Sequence, residues 1–221
     1  MKRGQYAVIG LGRFGSSLAK ELVDLGYEVL GIDRDEEAVD EMSDQLTHAV
    51  VADATDEEVI RSLGIRNFDC AVVAIGDDMQ ASILTAILLK DIGVKTVVAK
   101  ALSELHGKVL TKVGVDRVIY PERDMGIRVA HQLVSPNLLD IIELSSEYSI
   151  AEIAVPKRMS GRTLEDLNPR ARYGCSVVAI NKKTGIVIAP TAHDVVEEKD
   201  VMVIIGTNEQ IESFEHEVNR R

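Results

Sequence analysis

The strongest constraint on the fold is an alternation that runs from residue 6 to about residue 122. Short apolar runs are separated by longer amphipathic stretches. The runs are "YAVIGL", "EVLGID", "HAVVADA", "CAVVAIG", "TVVAKA" and "RVIYPE". They are rich in β-formers and lack polar alternation, so each predicts a strand covered on both faces. Between them, "RFGSSLAKELVDLG" and "DMQASILTAILLKDIG" carry helical spacing and stop at Gly26 and Gly93. Strand and helix repeated in this order predict an α/β architecture, a doubly wound parallel Rossmann-like sheet.

After Pro121 the pattern changes. "RDMGIRVAHQLV" predicts a helix, Pro136 interrupts it as a linker, and "NLLDIIELS" resumes helical apolar spacing. From Tyr148 the runs "YSIAEIAVP", "CSVVAINKK", "GIVIAP" and "VMVIIGT" predict strands, and "LEDLNPRARYG" and "NEQIESFEHEVNR" predict helices. The result is a small α+β domain, and the expected division is 1–134 and 135–221. No internal repeat is visible.

A net charge of −11 opposes the counterion release that drives nucleic-acid binding, and no Lys/Arg-rich stripe offsets it. Nucleic acid is therefore not an expected partner. The two cysteines, Cys70 and Cys175, sit in apolar runs without metal-ligand spacing and read as reduced thiols. The chain shows neither a signal-peptide core nor an apolar run of the roughly 18 residues needed to span a bilayer. A cytosolic location is the expectation.

Gly10-Leu11-Gly12-Arg13-Phe14-Gly15 follows the first predicted strand and opens a helix. That context makes the glycine pattern a dinucleotide-type phosphate loop: Gly10 for the turn, Gly12 for phosphate approach, Gly15 for helix–strand packing. Asp33 ends the second strand, where an acid can bind ribose hydroxyls; a helix cap is the competing role. Asp53, ending the third strand, is placed for a base edge or for a cap. Ile75 and Gly76 end the fourth strand on the same rim, where an apolar side chain can lie against adenine. Arg13 offers a bidentate donor to a terminal phosphate, or is a solvated loop residue. No paired histidine and acid, metal motif or nucleophile elbow accompanies the loop, so a non-enzymatic nucleotide sensor is favoured. The alternative is a small NAD(H)-dependent oxidoreductase or redox sensor.

"YAVIGLGRFGSSLAKEL", "HAVVADATDE", "LGIRNFDCAVVAIGDDMQASILTAILLKDIG", "VDRVIYPERDMG" and "LNPRARYGCSVVAI" together resemble the KtrA/KtrC-type regulatory subunits of bacterial Ktr potassium uptake systems. The resemblance covers nearly the whole chain. It implies an RCK N-terminal (TrkA-N) nucleotide domain with a crossover helix, followed by an RCK C-terminal (TrkA-C) domain. It also implies a homo-octameric ring at the inner face of the membrane, beneath a potassium-translocating subunit of the KtrB/KtrD kind. ATP or ADP would bind the first domain, with ATP activating. On this resemblance Gly10, Gly12, Arg13, Phe14 and Gly15 match phosphate-binding positions, and Asp33 the ribose acid. Asp53 and Ala54 match the base-side loop, Lys100 a basic residue near the nucleotide, and Glu122 a glutamate associated with a divalent cation. A helix-cap role for Glu122 stands beside that reading. In the second domain the resemblance implies inhibitory cyclic di-AMP in a cleft between two copies, at Leu164, Arg170, Ser176, Val177 and Pro190; core packing is the competing role.

Overall fold

The computed structural model describes residues 4–135 and 137–220. Pro136, the expected linker residue, lies outside them. Two compact units result, one up to Glu122 and the other from Arg123 onward.

In the first unit all six apolar runs are strands: β1 (Gln5–Ile9), β2 (Glu28–Asp33), β3 (His48–Val51), β4 (Cys70–Val73), β5 (Val97–Lys100) and β6 (Arg117–Ile119). They are joined by α1 (Arg13–Asp24), α2 (Glu36–Ser43), α3 (Glu57–Ser62), α4 (Met79–Asp91) and α5 (Glu104–Val113). The strands form one parallel sheet in the order β3-β2-β1-β4-β5-β6. The runs are apolar throughout because both sheet faces are covered. Ala7, Ile9, Ile32, Ala71 and Val73 pack with residues such as Leu89 and Leu110 in one cluster, and Val8 and Val29 pack with Ala19, Val39 and Met42 in another. The strand order reverses direction at β1/β4, and there the C-terminal strand ends splay into a crevice.

Helix α6 (Pro121–Val134) spans the division between the units, which falls after Glu122; the sequence placed the boundary after the helix, at residue 134. The second unit contains β7 (Leu138–Glu143), β8 (Tyr148–Ala154), β9 (Arg162–Thr163), α7 (Leu164–Leu167), α8 (Pro169–Tyr173), β10 (Ser176–Lys182), β11 (Gly185–Ile188), β12 (Val195–Val196), β13 (Val201–Thr207) and α9 (Asn208–Asn219). Its main sheet has the order β11-β10-β13-β8-β7, antiparallel throughout. Phe214, Ile211 and Val218 of α9 pack with Ile153, Met202 and Ile204 from the sheet.

Two expectations are corrected here. "NLLDIIELS" is not helical: β7 pairs with β8, Leu138 opposite Ile153 and Ile141 opposite Ala151. So short an apolar run suits either period, and pairing with β8 decides between them. "LEDLNPRARYG" is two short helices, not one. Asn168 adopts φ 46° between them, and Pro169, lacking an N–H, can only restart the helix as its first residue.

Candidate functional site

A cavity of about 750 Å³ opens at the C-terminal ends of β1, β2, β3, β4 and β5, entirely within the first unit. The loop after β1 forms its floor. Gly10 has φ +96° and its N–H donates to the Ile32 carbonyl at 2.8 Å; a Cβ there would lie 2.9 Å from the Ala74 and Ile75 backbone. Gly15 shows the tightest approach, since a Cβ on it would come within 1.8 Å of the Gly10 carbonyl oxygen. Only glycine lets α1 start this close to the strand. It does not line the cavity itself.

Helix α1 is capped differently from its neighbours. Asp35, Asp56, Asp78, Ser103, Thr163, Asn168 and Thr207 cap other helices with side-chain acceptors, whereas Gly12 offers α1 none and no acid lies in its first turn. The amide groups at this end therefore keep their partial positive charge for an anion from outside.

Three charged side chains gather at the same end. Lys100, almost fully buried, donates from Nζ to Glu122 Oε1 at 2.5 Å and lies 5.8 Å from the centre of the Phe14 ring. Glu122 is held below the usual carboxylate range, first by that hydrogen bond and lastly by the charge of Arg13. It occupies the second position of α6, behind Pro121, so the cap reading is replaced by an ion pair pointing into the cavity. Arg13 itself lines the cavity with an exposed side chain.

The opposite end is acidic. Asp33 is not the cap of α2; Asp35 is, accepting from the Glu37 amide. Asp33 instead accepts from the Leu11 amide at 2.6 Å and the Asp35 amide at 3.0 Å, tying the end of β2 to the glycine loop. An ionised carboxylate accepts about four hydrogen bonds, so capacity remains for a diol. Asp53 likewise leaves the capping of α3 to Asp56 and accepts from the Thr55 amide and hydroxyl at 2.9 and 2.7 Å. Those bonds hold its carboxyl low. Thr85 anchors the Ala54 carbonyl at 3.2 Å, and Ile75 and Gly76 complete the wall.

Eleven of the twelve sequence-selected residues thus line one cavity, Gly15 being the exception. Sequence reasoning missed Arg34, Asp77 and Asp78, which also line it. Arg34 directly follows Asp33, and "DD" directly follows Gly76; their position beside two selected strand ends was the available signal.

In the second unit the five selected residues differ in exposure. Leu164 is buried in the core and Val177 packs against it, Arg170 is exposed on α8, and Ser176 and Pro190 are half-buried. A shallow depression of about 350 Å³ in this unit is lined by Tyr173, Ser213, His216, Glu217 and Arg220, none of the five. Among the described residues no group of three or more His, Cys, Asp or Glu gathers as a metal centre, and no helix is long and apolar enough to cross a membrane.

Residues 6–121 match the TrkA-N domain model and residues 149–219 the TrkA-C domain model. The chain is 47% identical over 214 residues to Ktr system potassium uptake protein C of Bacillus subtilis (strain 168), covering 97% of each chain. It is 46% identical over 217 residues to Ktr system potassium uptake protein A of the same organism, covering 98% of each. Among solved structures the GsuK channel superposes with a TM-score of 0.74 at 18% identity, over 98% of this chain and 40% of that one, and so supports the fold alone.

Proposed function

The chain belongs to the family of Ktr-type potassium uptake proteins built from a TrkA-N and a TrkA-C domain, and on that premise we propose that it is a nucleotide-sensing regulatory subunit and not an enzyme. Its partner is a membrane potassium-translocating subunit, at whose cytoplasmic face it assembles as an octameric ring. The observation that carries the nucleotide reading is the polarity of the cavity. Arg13, Lys100 and an uncapped helix end stand at one side and the ribose-type acid Asp33 at the other. That order suits an adenine nucleotide, phosphates on the glycine loop and base toward Asp53, Ala54 and Ile75.

A divalent cation fits beside Glu122. Lys100 engages one of its oxygens, the side chain is otherwise exposed, and a magnesium-type ion needs only one or two carboxylates besides the phosphates. ATP and ADP differ at this end only, so a terminal phosphate met by Arg13 supplies the differential affinity that any switch between two ring shapes requires. Cyclic di-AMP is the proposed inhibitor, bound between two copies of the second unit by Arg170 and the apolar residues around Val177.

The test is titration with ATP, ADP and NADH, each with magnesium, of the parent and of Arg13→Ala. The expected result is a loss of about tenfold for ATP with ADP spared, as for one charge-assisted contact. Equal losses for ATP and ADP would assign Arg13 to loop shape, and preference for NADH would favour the redox-sensor alternative.

A further inference from the structure

Asp33 and Arg34 give opposite instructions about the ligand's ribose. An acid at the end of the second strand selects a free 2′-hydroxyl, whereas an arginine beside it can accept a 2′-phosphate. The sequence leaves the two in conflict, and the tertiary structure shows how they are reconciled. Arg34 reaches sideways to the loop after β4, its Nη2 3.7 Å from Asp77 Oδ2 and its Nη1 3.7 Å from Asp78 Oδ2. Because β1 lies between β2 and β4, this fork spans the crevice mouth. All three residues line the cavity.

We propose that Asp77 and Asp78 disarm Arg34 and so make the ribose end of the cleft reject adenine nucleotides carrying a 2′-phosphate. The claim rests on the adenine-nucleotide reading above and adds a specificity determinant to it. The mechanism is charge accounting at one locus. With each terminal nitrogen of the guanidinium 3.7 Å from a carboxylate, the charge of Arg34 is partly offset, while the carboxyl groups of Asp33, Asp35 and Asp53 line the same cavity. A phosphate arriving on the 2′-oxygen meets repulsion from the acids and a guanidinium charge already shared with Asp77 and Asp78.

The discriminating probes are AMP and adenosine 2′,5′-bisphosphate, titrated calorimetrically at fixed ionic strength. The parent is expected to prefer AMP. In D77N/D78N, which keeps an asparagine cap on α4, the AMP-to-bisphosphate affinity ratio should fall by about three- to tenfold, a modest range because the ion pairs are solvent-exposed. Adding R34Q to that background should abolish the gain. Three results overturn the proposal while leaving the nucleotide reading intact: a parent indifferent to the 2′-phosphate, an unchanged ratio in the double variant, or a gain that persists without Arg34. Failure of the parent to bind AMP or ATP would overturn the nucleotide reading, and this proposal with it.

Discussion

Asp33 shows how one carboxylate can hold a loop and await a ligand. Its bonds to the Leu11 and Asp35 amides fix it at the cavity rim. Asp33→Asn is expected to weaken ATP, ADP and NADH together by about 1 to 3 kcal/mol, since the ribose is common to all three; calorimetry that leaves all three unchanged removes Asp33 from the site. His106 offers a pH test. It is fully buried on α5, its Nδ1 accepts from the Leu102 amide at 3.2 Å, and its buried Nε2 has no hydrogen-bond partner among the described residues. Burial lowers its pKa below the ordinary 6.5, so the folded protein binds this proton less readily than the unfolded chain does. As pH falls below about 6.5 the unfolded chain takes up a proton that the folded one refuses, costing up to about 1.4 kcal/mol per pH unit until the folded pKa is reached. Above about pH 7.5 this contribution is constant. Urea titrations of the parent and of His106→Asn at pH 5.5, 6.5 and 7.5 should differ in slope, with the variant flatter; parallel pH profiles would exclude His106 as the source.

The glycine loop is where element geometry and ligand chemistry separate cleanly. A Cβ on Gly15 would overlap the Gly10 carbonyl, whereas one on Gly12 meets nothing within 4 Å and Gly12 has φ −63°. Gly15→Ala should therefore destabilise the first unit, by about 3 kcal/mol. Gly12→Ala should leave stability within about 0.5 kcal/mol yet weaken nucleotide binding by obstructing the phosphate's approach. Chemical denaturation beside ATP titration distinguishes the pair; equal stability losses would mean that Gly12 also serves packing. At the same scale, a strand replaced the helix expected over "NLLDIIELS". β8 already pairs with β13 on one side, and β7 satisfies its other edge.

For the whole molecule, the two units own separate cores: no residue of the clusters around Ile9 and Val8 recurs in the cluster around Phe214. Arg170→Ala is accordingly expected to abolish cyclic di-AMP binding with ATP affinity unaltered, because the cavity lies wholly before residue 123. Normal cyclic di-AMP affinity in this variant, or none in the parent, would refute the second-site proposal. Charge reinforces the choice of partners: at −11 the chain repels polyanions, while local donors can still select small ones.

The sequence by itself determined the doubly wound sheet, because a strand buried on both faces cannot hide its apolar run and a phosphate loop cannot dispense with its glycines. It also marked Arg13, Asp33 and Asp53, whose positions at or just beyond strand ends follow from chain order, while Lys100 came from the family resemblance. The tertiary structure decided everything that depends on neighbours distant in the chain. Whereas the local caps Asp35 and Asp56 leave Asp33 and Asp53 free of that role, the assembled sheet turned Glu122 toward Lys100, 22 positions earlier. It also set Arg34 against Asp77 and Asp78 across an intervening strand. Pattern reports which face a residue occupies. The partner that a charge meets there is fixed by strand order, a property of the assembled sheet that no local stretch contains.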